Sequence, residues 1–111
     1  MDEIEIAEEE IEIVEELEDI ESEKYLKEKR TVPVMSIYEK IKILNMRVIQ
    51  LNSNFKTSIP ELVDEKNLSK SLDIAVLEFD TGNLPEYYLK RKFPNGDYEL
   101  WKHEDFDFFP Q

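Results

Sequence analysis

Between residues 36 and 52 the apolar positions Ile37, Ile41, Leu44, Val48 and Leu51 recur at intervals of four, three, four and three. That period predicts an amphipathic helix from about Ile37 to Leu51 with a core-facing stripe. Ser36 stands where a cap is needed, and Glu39, three residues on, is placed to reach back to the cap amide. Ile43, Met46 and Ile49 widen the apolar surface beyond one stripe, more than a small core requires. Asn52-Ser53-Asn54 ends the helix, and residues 53–68, with Pro60 among them, read as a loop. Ser69 is the expected cap of a second helix, about Lys70 to Asp80, with Leu72, Ala75, Val76 and Phe79 inward. Thr81-Gly82-Asn83 closes it, Gly82 suiting the left-handed terminal position.

The pattern then changes period. Tyr87–Phe93 and Tyr98–Trp101 are aromatic-rich runs separated by Pro94-Asn95-Gly96-Asp97, and Asn-Gly between such runs is a strong hairpin signal. Upstream, Thr31-Val32-Pro33-Val34 is expected to be extended, because Pro33 pushes Val32 out of helical space. The ending Phe106-Asp107-Phe108-Phe109-Pro110-Gln111 has the composition either to dock or to remain free. The expected class is therefore α+β, with two principal helices and a C-terminal β-hairpin, preceded by a disordered acidic arm. Residues 1–30 form the arm and a basic hinge (Lys24–Arg30), and residues 31–111 form the body.

Charge sharpens that division. The 111 residues carry 27 acidic and 14 basic side chains, a net charge of −13, and residues 1–23 alone hold 13 acidic residues and no basic one. The rest of the chain is neutral but polarised, +6 over residues 24–60 and −6 over residues 61–111. Within the arm, Ile4, Ala7, Ile11 and Val14 fit one helical stripe and Ile13, Leu17 and Ile20 another. These lie on different faces, and no lysine offsets the repulsion between carboxylates. An unstructured, solvated arm is expected. The sharper alternative is an acidic–hydrophobic segment that orders on a basic partner groove. Phosphates would be repelled by it.

Composition removes most enzyme chemistry. Cysteine is absent, His103 is the single histidine, and Gly82 and Gly96 are the only glycines. Thiolate nucleophiles, disulfides, multi-histidine metal sites and glycine-rich phosphate loops are thereby excluded. No apolar run approaches 18 residues, and the acidic start is the reverse of a secretory or transit peptide. No membrane, cofactor, metal, catalytic residue or small-molecule substrate is expected. His103 beside Glu104 and Asp105 reads as a surface histidine, because adjacent residues do not converge on one ion. Asp105 and Asp107 read as solvated surface rather than an acid–base pair. Lys90-Arg91-Lys92 among aromatics fits single-strand stacking in type, but the neutral body lacks the electrostatic footprint. Arg47 and Gln50 lie beside the apolar stripe of the first helix, where buried polar groups need partners; the plain alternative is a surface pair at a helix flank.

Taken in order, these segments resemble the omega-type small subunit of multisubunit RNA polymerases, in its archaeal K form and in the form shared by the three eukaryotic nuclear polymerases. The resemblance runs through Thr31-Val32-Pro33, Ser36-Ile37-Tyr38-Glu39-Lys40, Ile43–Leu51 and the Leu72–Phe79 helix. It continues through Pro85, Lys90-Arg91, Pro94-Asn95-Gly96 and Tyr98-Glu99-Leu100-Trp101. It spans about residues 25–101, and the acidic arm resembles that of the eukaryotic form. Departures are Asn45-Met46 where the family has Gly-Thr, Ser71 where it often has Pro, and a longer strand with Glu86-Tyr87-Tyr88. With the Ile-, Lys- and Glu-rich composition, they resemble polymerase subunits of large DNA viruses.

The resemblance implies a noncatalytic subunit that clamps the largest polymerase subunit and promotes assembly and stability. It implies DNA contact only through the complex, and a location inside the cell, nuclear or, for a viral protein, in host cytoplasm or virion. Tyr38, Glu39, Arg47, Gln50 and Arg91 are the expected partner-binding residues. Physics agrees in kind: a body of about 80 residues buries only ~60% of its unfolded surface and is marginal alone. The alternative is a free acidic adaptor whose residues 1–23 bind a basic groove of a transcription factor.

Overall fold

The computed structural model describes residues 11–14 and 29–111. Residues 1–10 and 15–28, which hold the rest of the expected arm and most of the basic hinge, lie outside the described residues. The elements in order are β1 (Ile11–Val14), α1 (Ile37–Asn52), α2 (Pro60–Glu65), α3 (Ser71–Asp80), β2 (Tyr88–Lys92) and β3 (Tyr98–Trp101). A single 3₁₀ turn follows at His103–Asp105. This is the α+β class expected. Two units divide these elements, one comprising residues up to Lys40 together with Glu86–Gln111, the other Ile41–Pro85.

In the first unit the hairpin turns at Phe93–Asp97: Gly96 N donates to Phe93 O (2.9 Å) and Phe93 N to Asp97 O (2.8 Å). Gly96 sits at φ +93°, a conformation that a side chain would strain. β2 and β3 pair antiparallel, Leu89 opposite Trp101 and Lys92 opposite Tyr98. The sheet has a third strand. Ile11–Val14, which the sequence assigns to an unstructured arm, form β1 on the far edge of β2, Glu12 opposite Lys90 and Val14 opposite Tyr88. The cause lies across the sheet: an apolar–carboxylate alternation meets a basic strand, and the carboxylate repulsion that argues against order is relieved there.

The C-terminal segment docks through its backbone and Phe106, while the Phe108 side chain stays exposed. Met35 N donates to Phe108 O (2.9 Å) and Asp107 N to Pro33 O (2.7 Å), so the extended Pro33–Met35 stretch runs beside the tail. Phe106 is buried and stacks on Trp101 with ring centroids 5.1 Å apart. At the start of α1 the reciprocal cap forms as expected. Ser36 N donates to Glu39 Oε1 (2.8 Å), and Glu39 N donates to Ser36 Oγ (3.0 Å).

The second unit departs from expectation at two helix starts. Residues 60–65 form α2 rather than loop, because Pro60 occupies the first turn, where its fixed φ fits and its missing N–H is no loss. α3 begins one residue later than expected: Lys70, not Ser69, is its N-cap, and no side chain caps it. The Ser71 hydroxyl bonds Asn52 Oδ1 instead. Gly82 ends α3 at φ +71° as expected. The buried row of α1 is also different. Glu39, Ile43 and Arg47, spaced by four, are the positions that go inside, whereas Ile37 and Ile41 of the expected stripe are 55% and 49% exposed. In α3 Ala75 and Phe79 are buried, as expected, but Leu72 is exposed.

Candidate functional site

Two arginine–carboxylate centres organise the chain, one in each unit. In the first, Arg91 on β2 is 5% exposed and Glu39 on α1 is 2% exposed. Nε donates to Glu39 Oε2 (2.7 Å) and Nη2 to Glu39 Oε1 (2.9 Å), a bidentate pair. Nη1 donates to Thr31 Oγ1 (2.7 Å) and Val32 O (2.9 Å), and Nη2 also to Val34 O (3.0 Å). The guanidinium lies 4.7 Å from the Trp101 ring centroid and 5.4 Å from that of Phe106. One side chain thus clips the extended 31–34 segment, the start of α1 and the sheet together.

Thr31 passes the network on, donating its hydroxyl to Glu99. Glu99, fully buried on β3, also accepts from the backbone N–H of Arg30 and Thr31 and from Trp101 Nε1 (2.9 Å). Burial raises its pKa. The bonds from Thr31, Trp101 and the two backbone amides outweigh that and hold the carboxyl below the usual value.

The second centre is built on α1 and α3. Arg47, 2% exposed, gives Nε to Glu78 Oε1 (2.6 Å) and Nη2 to Glu78 Oε2 (3.0 Å). Its Nη1 donates to Gln50 Oε1 (2.9 Å) and its Nη2 also to Lys56 O (3.1 Å). Glu78 Oε2 accepts further from Thr57 Oγ1 (2.8 Å) and Ser58 N (3.1 Å). Desolvation pushes Glu78 up, and the hydrogen bonds of Arg47, Thr57 and Ser58 with the Arg47 charge bring it below the ordinary value. The pair therefore fixes the 56–58 segment to both helices. No buried side-chain nitrogen or oxygen among the described residues lacks a hydrogen bond.

The five residues singled out from sequence fall accordingly. Glu39 and Arg91 meet in one centre; Arg47 and Gln50 meet in the other. Tyr38 is half-buried at the start of α1. Sequence reading misses Glu78, Glu99 and Thr31. A lone carboxylate between Leu77 and Phe79, and another between Tyr98 and Leu100, are the available signals.

His103 is not a plain surface residue. Its Nδ1 shares a 2.7 Å hydrogen bond with the Tyr87 hydroxyl, and its ring stacks on Phe109 at 4.6 Å. Burial holds the imidazole below its usual value, against the charge of Glu104. Lys92 pairs with Glu12, and Lys90 lies over the Tyr98 ring (4.2 Å), so the basic strand is engaged within the chain. Among the described residues no group of three or more His, Asp or Glu is placed to hold a metal ion. Nor is any helix of theirs long and apolar enough to cross a membrane.

Several large apolar side chains are also exposed among the described residues. Val32 (65%), Ile37 (55%) and Phe108 (67%) are exposed in the first unit, and Ile49 (66%), Phe55 (56%) and Leu72 (54%) in the second.

No family model matches the chain. It is 35% identical over 74 residues to the RPABC2 subunit of DNA-directed RNA polymerases I, II and III of Schizosaccharomyces pombe, covering 67% of this chain and 49% of that protein. With the Saccharomyces cerevisiae protein of the same description it shares 33% identity over 78 residues, 70% of this chain and 47% of that one. The chain thus spans about half the length of these curated relatives.

Proposed function

Over its aligned residues this chain is a homologue of RPABC2, the subunit shared by RNA polymerases I, II and III, and from that premise we propose that it serves as a noncatalytic subunit of a DNA-directed RNA polymerase. The sequence identity over two thirds of the chain carries this reading. Its action is to clamp the largest subunit, promoting assembly and stability, and it meets DNA only through the complex.

The geometry supports a division of labour within that role. Arg47, Glu39 and Arg91 have their polar atoms committed inside the chain, so they hold the frame rather than grip the partner. Tyr38 and Gln50, half-buried beside them, and the exposed apolar side chains of α1 supply the contact. Tyrosine is enriched among the residues that dominate binding energy, and apolar side chains fill the buried core of stable interfaces.

Affinity purification of the tagged full chain, followed by mass spectrometry, tests the proposal. Recovery of the largest polymerase subunit together with others of its complex is the expected result. Recovery without any polymerase subunit overturns it. The nucleus is the compartment proposed, and fractionation of the tagged chain separates it from the host cytoplasm or virion that a viral origin implies.

A further inference from the structure

β2 has two edges. β3 takes one through the hairpin, and four residues that lie far away in sequence fill the other. They do so with three kinds of complementarity. The backbones pair antiparallel, Ile11 opposite Arg91 through Val14 opposite Tyr88. Ile11 and Val14 are buried, Val14 in one cluster with Tyr88, Tyr98 and Leu100. Glu12 lies opposite Lys90 and pairs with the ammonium of Lys92.

We propose that this edge of β2 is a strand-addition site for an extended, acidic and apolar segment of a partner protein, and that residues 11–14 occupy it in cis as an exchangeable plug. The site reads an apolar–carboxylate–apolar–apolar run through main-chain bonds and a side-chain socket on each face of the sheet, a form of strand addition. A polyanion without apolar groups matches only the lysines. Exchange is feasible because the plug is four residues long and its ion pair is open to solvent, the two side chains 33% and 47% exposed, where such pairs are weak and screened by salt. A second copy of this chain is the poorer occupant. Its residues 11–14 would leave an identical site to enter this one, so the swap replaces each interaction with its equal and only loses freedom of motion. The inference stands independently of the polymerase reading.

The test uses the full chain and a fluorescent peptide with the sequence of residues 8–17, read by anisotropy. A cis plug in place about nine-tenths of the time weakens peptide binding about tenfold. Glu12→Lys, which sets like charges together in cis, is expected to tighten peptide binding by about that factor, and added salt to weaken it. Lys92→Glu is expected to abolish binding, and a peptide carrying Lys in place of Glu12 to restore it on that variant, which also shows the variant folded. Equal peptide affinity for wild type and Glu12→Lys overturns the proposal, as does failure of the charge-reversed peptide on a Lys92→Glu chain with a native circular dichroism spectrum. A concentration-dependent dimer in sedimentation that Glu12→Lys abolishes assigns the edge to a second copy and overturns it too.

Discussion

Arg91 makes five hydrogen bonds, matching the five N–H donors of a guanidinium, and only two of them go to Glu39. A lysine keeps the charge but offers no planar fork and cannot reach Thr31, Val32, Val34 and Glu39 at once. Arg91→Lys is therefore expected to lower stability by about 3 kcal/mol, since it leaves buried acceptors and part of a buried carboxylate unpaired. Urea denaturation reads this as a lower midpoint at unchanged slope. Glu78→Gln isolates the other centre. It keeps the shape, strands the Arg47 charge in the interior, and is expected to cost a similar ~3 kcal/mol. Loss of under about 0.5 kcal/mol in either variant would show that solvent reaches the pair.

At the scale of elements, period and composition disclose the helices and the hairpin but not which face of α1 turns inward. The apolar stripe through Ile37 and Ile41 has the regular spacing of a core face, yet the row that is buried runs Glu39–Ile43–Arg47. Charged residues conceal a core row from any reading that equates inside with apolar, and their partners, Glu78 and Arg91, come from distant segments. β1 is illegible for a related reason: its alternation is stable only opposite Lys90 and Lys92, which no local window contains. Pro60 reads as punctuation and serves as a helix start. The inverted face has a measurable consequence. Ile37→Ser and Ile49→Ser are each expected to change stability by less than about 0.5 kcal/mol, as exposed positions do. Combined, they should reduce the polymerase subunits recovered with the tagged chain severalfold. Unchanged recovery would remove α1 from the contact.

Across the molecule, the displaced pKa values set a pH window. Glu78 and Glu99 are held below the ordinary value of 4.5, so their contribution is full above it and lost as pH falls from there. His103 is depressed from 6.5; the unfolded chain takes up its proton first, and stability declines as pH drops below that point. Tyr87 moves the opposite way. Burial, then the charges of Glu104 and Glu39, raise its hydroxyl well above 10.0, so stability is full below 10.0 and lost as pH rises beyond it. Thermal melts should plateau between pH 6.5 and 10.0 and fall on both sides, with the first acid step removed by His103→Gln. A maximum near pH 5 would contradict these assignments.

The pairing of early residues with late ones also sets when the protein can fold. Arg91 lies 52 residues after Glu39, Glu99 lies 69 after Arg30, and Lys92 lies 80 after Glu12. On the ribosome the earlier member of each pair emerges first and finds nothing to close upon until the hairpin has followed it. Glu39 stays hydrated and the extended 31–34 segment stays open until Arg91 has emerged. The contacts that bind the first unit therefore form late, and a nascent chain stalled before Arg91 leaves Glu39 and the 31–34 segment open to chaperone and protease.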